Sequence, residues 1–166
     1  MLRRLSLLGA LFFSAAIYSQ TPGEPVQYLL SEINGSSANQ LALTDGSLWR
    51  VTAPRALARG SAILISGRNL RTGNVQALSG GFQFNLSYQD GQLQAQQGYK
   101  LQLIASQQDG KQLLLENNIR LWVLDADRVE SRHFRGTAEV ILSADGQQLI
   151  YLPNLKKVQV RQVAAP

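Results

Sequence analysis

His133 is the single histidine of the chain, within Glu130-Ser131-Arg132-His133-Phe134-Arg135, and Asp125 and Asp127 lie just upstream. Three carboxylates and an imidazole are the parts of a general-base site or of an oxygen-rich cation site. The same stretch carries Arg128, Arg132 and Arg135, so the acids also read as partners in solvated ion pairs. The corresponding segment of the first half, Ala53-Pro54-Arg55-Ala56-Leu57-Ala58-Arg59, has no acid. That favours ion pairs over a site. No Gly-x-Ser-x-Gly, phosphate-cradling glycine loop, metal-spaced histidine pair or cysteine–histidine set occurs elsewhere. The expectation is a protein without catalytic residues, cofactor or metal.

Arginine recurs in these two connectors: Arg55 and Arg59 in the first, Arg128, Arg132 and Arg135 in the second. These five are the candidate binding residues. With Arg68, Arg71, Lys156, Lys157 and Arg161 they would make a basic strip for an anionic polymer, nucleic acid or polysaccharide, if one face carried them all. The interleaved aromatics of a base-stacking platform are missing, since Tyr99, Phe134 and Tyr151 are scattered. Trp49 and Trp122 are the two tryptophans. Their matching places in the two halves suit core plugs better than an exposed platform for sugar or nucleobase stacking.

The elements that must hold these residues read as strands. Gln40–Thr44, Leu101–Leu103 and Lys157–Arg161 alternate with period two, while Ala62–Ile65 and Val140–Leu142 are short apolar runs suited to buried strands. Asn34-Gly35, Asp45-Gly46, Asp90-Gly91, Asp109-Gly110 and Asp145-Gly146 supply turn chemistry between them. The best helical stretch, Asp125 to Phe134, amounts to a short connector. The fold expected is all-β.

The halves also match in order. Gln40-Leu41-Ala42-Leu43, Asp45 to Val51 and Gly60 to Ser66 are answered by Gln112-Leu113-Leu114-Leu115, Asn117 to Leu124 and Gly136 to Ser143. Upstream, Leu29-Leu30-Ser31 and Leu103-Ile104-Ala105 could open each unit, and strands near Val75 and Val158 could close it. This predicts two tandem related small antiparallel units, residues 20–90 and 99–166, joined by a glutamine- and glycine-rich linker at 91–98. Five short strands each is the scale of a partly open SH3-like or OB-like barrel.

Residues Asp45-Gly46-Ser47, Trp49, Val51, Gly60 and Ile63-Leu64-Ile65 form a pattern that resembles a hairpin of small exported bacterial β-proteins of uncharacterised function. The second half departs from it at Asn117-Asn118-Ile119. The resemblance implies a barrel-like unit in an exported protein and brings no activity with it.

Export is also the reading of the first residues. Arg3 and Arg4, the apolar run Leu5 to Tyr18 and the polar Gln20-Thr21-Pro22-Gly23-Glu24-Pro25 follow the order of a signal peptide, here residues 1–19. Its removal would take the formal net charge from +5 to +3 and leave no membrane-spanning segment. Cysteine is absent, so neither disulfides nor a lipoprotein anchor on an N-terminal cysteine is expected to hold the chain. The function class expected is an exported periplasmic or secreted module that recognises a protein or envelope component through barrel loops or an open strand edge. Asn34-Gly35-Ser36 and Asn85-Leu86-Ser87 match the glycosylation sequon, relevant only in a eukaryotic source.

Overall fold

A computed structural model describes residues 23–52 and 57–162. The expected signal peptide at 1–19 and Arg55 lie outside the described residues.

The described residues form twelve strands, all paired antiparallel. Those of the first half are β1 (Glu24–Ser36), β2 (Gln40–Leu43), β3 (Ser47–Val51), β4 (Ala62–Gly67), β5 (Asn74–Ser79) and β6 (Phe82–Gly91). Those of the second are β7 (Gln96–Gln107), β8 (Gln112–Leu115), β9 (Arg120–Val123), β10 (Ala138–Ser143), β11 (Gln148–Tyr151) and β12 (Lys156–Gln162). A single helical turn, α1 (Arg128–Ser131), follows the 3-10 turn Asp125–Asp127 in the β9–β10 connector. No helix among the described residues is long and apolar enough to cross a membrane.

The first six strands close on themselves in the order β1-β2-β3-β6-β5-β4, with β4 returning to β1. Strands β7-β8-β9-β12-β11-β10 do the same, with β10 returning to β7. Six strands in a closed ring replace the partly open, five-stranded SH3-like or OB-like barrel expected from the pattern. The reason lies in β1 and β7, which have 13 and 12 residues. Each is long enough to bond β4 or β10 along one edge and β2 or β8 beyond a bulge on the other. The bulges fall between Ile33 and Gly35 and between Leu103 and Ala105. A bulge bends its strand and raises the local twist, as a small closed barrel requires.

Registers correspond across the halves. Ile33 faces Leu43 as Leu103 faces Leu115, Ser31 faces Ile63 as Leu101 faces Val140, and Ile65 faces Ala77 as Leu142 faces Leu149. Ile33, rather than Leu29, therefore stands where Leu103 does, which corrects the expected alignment of Leu29-Leu30-Ser31 with Leu103-Ile104-Ala105. The β1–β7 pair joins the rings through Glu24↔Lys100, Gln27↔Gln97 and Tyr28↔Gln96.

Inward residues fill each ring separately. Ile33, Leu41, Trp49, Ile63 and Leu86 lie in one core, and Leu103, Leu113, Leu121, Val140 and Val160 in the other. A third cluster joins them from outside both rings: Val26, Tyr28 and Leu64 pack against Ile141, Ile150 and Leu152. Gly98 is needed at this seam, because a Cβ there would lie 2.6 Å from the Leu142 carbonyl oxygen and 2.8 Å from the Tyr28 ring. Turn chemistry holds at Asp45-Gly46, Asp109-Gly110 and Asp145-Gly146, which close the β2–β3, β7–β8 and β10–β11 hairpins. Asn34-Gly35 sits instead inside β1 at its bulge, and Asp90-Gly91 ends β6 opposite Ser47 and Leu48.

Candidate functional site

In the β3–β4 connector, Arg59 donates from Nη2 to Asn34 Oδ1 at 3.2 Å, and Ser36 Oγ donates to the Leu57 carbonyl at 3.0 Å. The connector is thus tied to the far end of β1. In the β9–β10 connector, Ser106 Oγ donates to the Ser131 carbonyl at 2.9 Å, and Ser131 Oγ to Gly110 at 2.6 Å, tying it to the far end of β7. From their shared pairing at Gln27↔Gln97, β1 and β7 run in opposite directions. Arg59 and the trio Arg128, Arg132 and Arg135 therefore lie toward opposite ends of the molecule. They do not form one strip.

The acids and histidine of the second connector turn to separate partners. Asp127 Oδ2 accepts the Gln159 backbone N–H at 2.7 Å, fastening the connector to β12. Glu130 pairs with Lys156 at 3.2 Å, and Asp125 lies 3.7 Å from Arg128. His133 Nε2 accepts from Arg132 Nε at 3.1 Å. Among the described residues, no group of three or more His, Asp or Glu is placed to hold a metal. Phe134 and Tyr151 stack at 4.2 Å with ring planes 7° apart, which closes that end of the second core.

The tryptophans part company. Trp49 faces Leu41 on β2 and is fully buried. In the second ring the residue in that register is Leu121, which faces Leu113 and is also fully buried. Trp122 is one residue further along and so points to the other side of the strand, outside the ring. The expected common position of the two tryptophans is corrected by this one-residue offset: Trp49 is a core plug and Trp122 is not.

A polar relay holds Trp49 in place. Its indole Nε1 donates to Ser47 Oγ at 2.8 Å, and that hydroxyl donates to Asp45 Oδ1 at 2.6 Å. The Ser47 backbone N–H reaches the same Asp45 oxygen at 3.2 Å. The Asp45-Gly46-Ser47-x-Trp49 spacing thus lets one turn carboxylate both close the hairpin and satisfy a buried indole through a buried serine.

On the outer wall of the second ring, Trp122 is half-buried and lies between Gln112 on β8 and Arg161 on β12, its cross-strand neighbours. Arg120 precedes it on the same face, and Leu124 follows with 45% of its surface exposed. The first ring packs against β10 and β11 through Ile141 and Ile150, so the wall formed by β8, β9 and β12 faces away from it. A shallow depression of 410 Å³ adjoins this wall, with Leu124, Asp145, Gln147, Gln159 and Arg161 among its lining residues. Asp145 is held below the ordinary aspartate range, first by the Ser143 hydroxyl and then by the Gln147 backbone N–H at 3.0 Å. It presents a carboxylate at neutral pH.

A second depression, of 550 Å³, lies at the seam of the rings beside Leu30, Ser31, Glu32, Thr44, Asp45 and Leu155. Its floor is internally bonded, with Ser31 and Thr44 hydroxyls 3.0 Å apart and the Thr44 N–H on the Glu32 carbonyl at 3.0 Å. Sequence reasoning singled out the connector arginines and missed the Trp122 wall. The signal available was the one-residue difference between Leu48-Trp49 and Leu121-Trp122 relative to their alternating strands. Compared with protein-family models, with curated proteins and with solved structures, the chain matches none of them.

Proposed function

We propose that this protein is a non-enzymatic binding module, exported to the periplasm or beyond, that recognises an envelope component through the outer wall of its second ring. The observation that carries the reading is Trp122, a large aromatic side chain outside both cores, set among Gln112, Arg120 and Arg161. A core tryptophan needs no function to explain it, whereas an outward one bordered by the exposed Arg120 and Arg161 has the composition of a recognition surface. Loops and wall replace the open strand edge as the means of binding, because ring closure leaves each strand among the described residues with a neighbour on both sides. The matching registers support descent of the two rings from one duplicated unit, in which the second copy acquired the outward tryptophan. Export rests on the charge and apolar order of residues 1–19.

The alternative, an anionic polymer held by the connector arginines, needs a ligand long enough to reach both ends of the molecule. Retention of envelope material on the immobilised chain, residues 20–166, separates the two. The proposed reading expects capture that persists at high salt and is lost in Trp122→Ala. Capture only at low salt, indifferent to Trp122 and lost when Arg59 and Arg132 are replaced by alanine, would move the function to the connectors.

A further inference from the structure

We infer that the ligand of this wall is an acidic oligosaccharide, stacked by a sugar ring on Trp122 and paired through a sugar carboxylate with Arg161. The inference rests on the wall being the binding surface and adds the class of ligand. Leu121 and Val123 point into the core at full or near-full burial, so Trp122 between them presents its ring to the outside. Among the described residues its indole N–H has no hydrogen-bond partner. An indole face is apolar and electron-rich and its edge carries one donor, which suits the C–H face of a pyranose with a hydroxyl at its rim.

The flanking chemistry narrows the choice. Gln112 on one side is buried and backs the indole rather than meeting a ligand. Arg161 on the other side is an exposed, planar fork of donors that matches a carboxylate in two bonds. The adjoining depression adds the amides of Gln147 and Gln159 and the Asp145 carboxylate. That carboxylate accepts from hydroxyl groups, which leaves Arg161 as the partner for the sugar carboxylate. One tryptophan, rather than a row of aromatics, also fits a sugar better than successive nucleobases. The first ring supplies an internal comparison: in the register of Trp122 it has Arg50, between Gln40 and Ser87, with no aromatic ring. One ligand per chain is therefore expected.

The two tryptophans make the test direct, because Trp49 is sealed from solvent and a change in emission on binding reports Trp122. The full chain is titrated with a galacturonic acid tetramer, the matching neutral galactose tetramer and a thymidine tetranucleotide. The uronate tetramer is expected to bind with one-to-one stoichiometry and shift the emission. Trp122→Ala should weaken it by on the order of tenfold or more, with Trp122→Phe recovering part of the loss. Arg161→Gln should weaken the uronate about tenfold and leave the neutral tetramer unchanged, and Arg50→Ala should change nothing. Equal affinity for the neutral tetramer would overturn the acidic assignment. Preference for the tetranucleotide would overturn the saccharide class. Binding that survives Trp122→Ala, in a variant shown to fold by its thermal transition, would overturn the site. No response to any of the three, with envelope capture still dependent on Trp122, would overturn the ligand class and leave the wall as the binding surface.

Discussion

Trp49 and Trp122 differ by one residue of strand phase, and that single step changes what each can do. A buried indole hydrogen-bonded through Ser47 to Asp45 is a structural asset. We expect Trp49→Ala to cost about 3–5 kcal/mol, the range for removing a large core aromatic. Trp122→Ala should cost less than about 1.5 kcal/mol, since it opens no core cavity. Denaturant unfolding of the two variants checks the pair, and equal losses would contradict the opposite facings. Ser47→Ala should cost about 1–3 kcal/mol, because the Trp49 N–H and the Asp45 carboxylate lose their shared partner. Asp145 gives a pH signature. Its folded pKa is depressed, so its contribution is present above the unfolded aspartate value near pH 4 and is lost as pH falls through the folded one. Asp145→Ala should flatten that part of the acid stability profile, read by thermal unfolding at stepped pH. The two tryptophans also mark where sequence reading stopped. Both follow a turn and precede a valine within two residues, so spacing alone aligns them. The phase became visible only through cross-strand partners, Leu41 for one and Gln112 for the other.

Strands were legible wherever alternation or a short apolar run was clean, as at β2, β4, β10 and β12. Others were hidden by composition. Phe82-Gln83-Phe84-Asn85-Leu86 alternates, yet the polar residues after it and the two glycines before it hid β6 as a strand. The first part of β1 was masked by Pro25, tolerated because that residue stands near the strand's start. Without these stretches the pattern sums to five strands and an open barrel. Asn34-Gly35 misled in a related way, since a glycine pair with turn chemistry also suits a bulge. The β1–β7 seam carries the element-scale prediction. Gly98→Ala forces a methyl group against the Leu142 carbonyl and the Tyr28 ring, and should cost about 1–3 kcal/mol through strain at the joint. A neutral result would mean that the two rings part more easily than their shared cluster suggests.

At the scale of the molecule, two closed cores are bound by a third that neither ring could form alone. Tyr28 is 1% exposed in it. Its phenol is pushed above the ordinary range, chiefly by burial and secondarily by the Asp145 charge. The folded state therefore holds the proton longer than the unfolded chain. Stability from this source is whole below about pH 10 and declines as pH rises through the folded value, a loss that Tyr28→Phe should remove. Alkaline unfolding of the two proteins, followed by circular dichroism, tests it. An all-β chain with hairpin turns could be read from its residues, while the seam depends on outward side chains such as Leu64 and Ile141. Those look like ordinary core positions until both rings are closed. Closure has a further consequence for the protein in a crowded compartment. Every strand among the described residues is flanked on both sides, so these twelve strands offer a neighbouring chain no long bare row of amide and carbonyl groups to extend. Aggregation should follow the opening of a ring and track the unfolded fraction, leaving concentrated solutions of the native protein clear until the thermal transition begins.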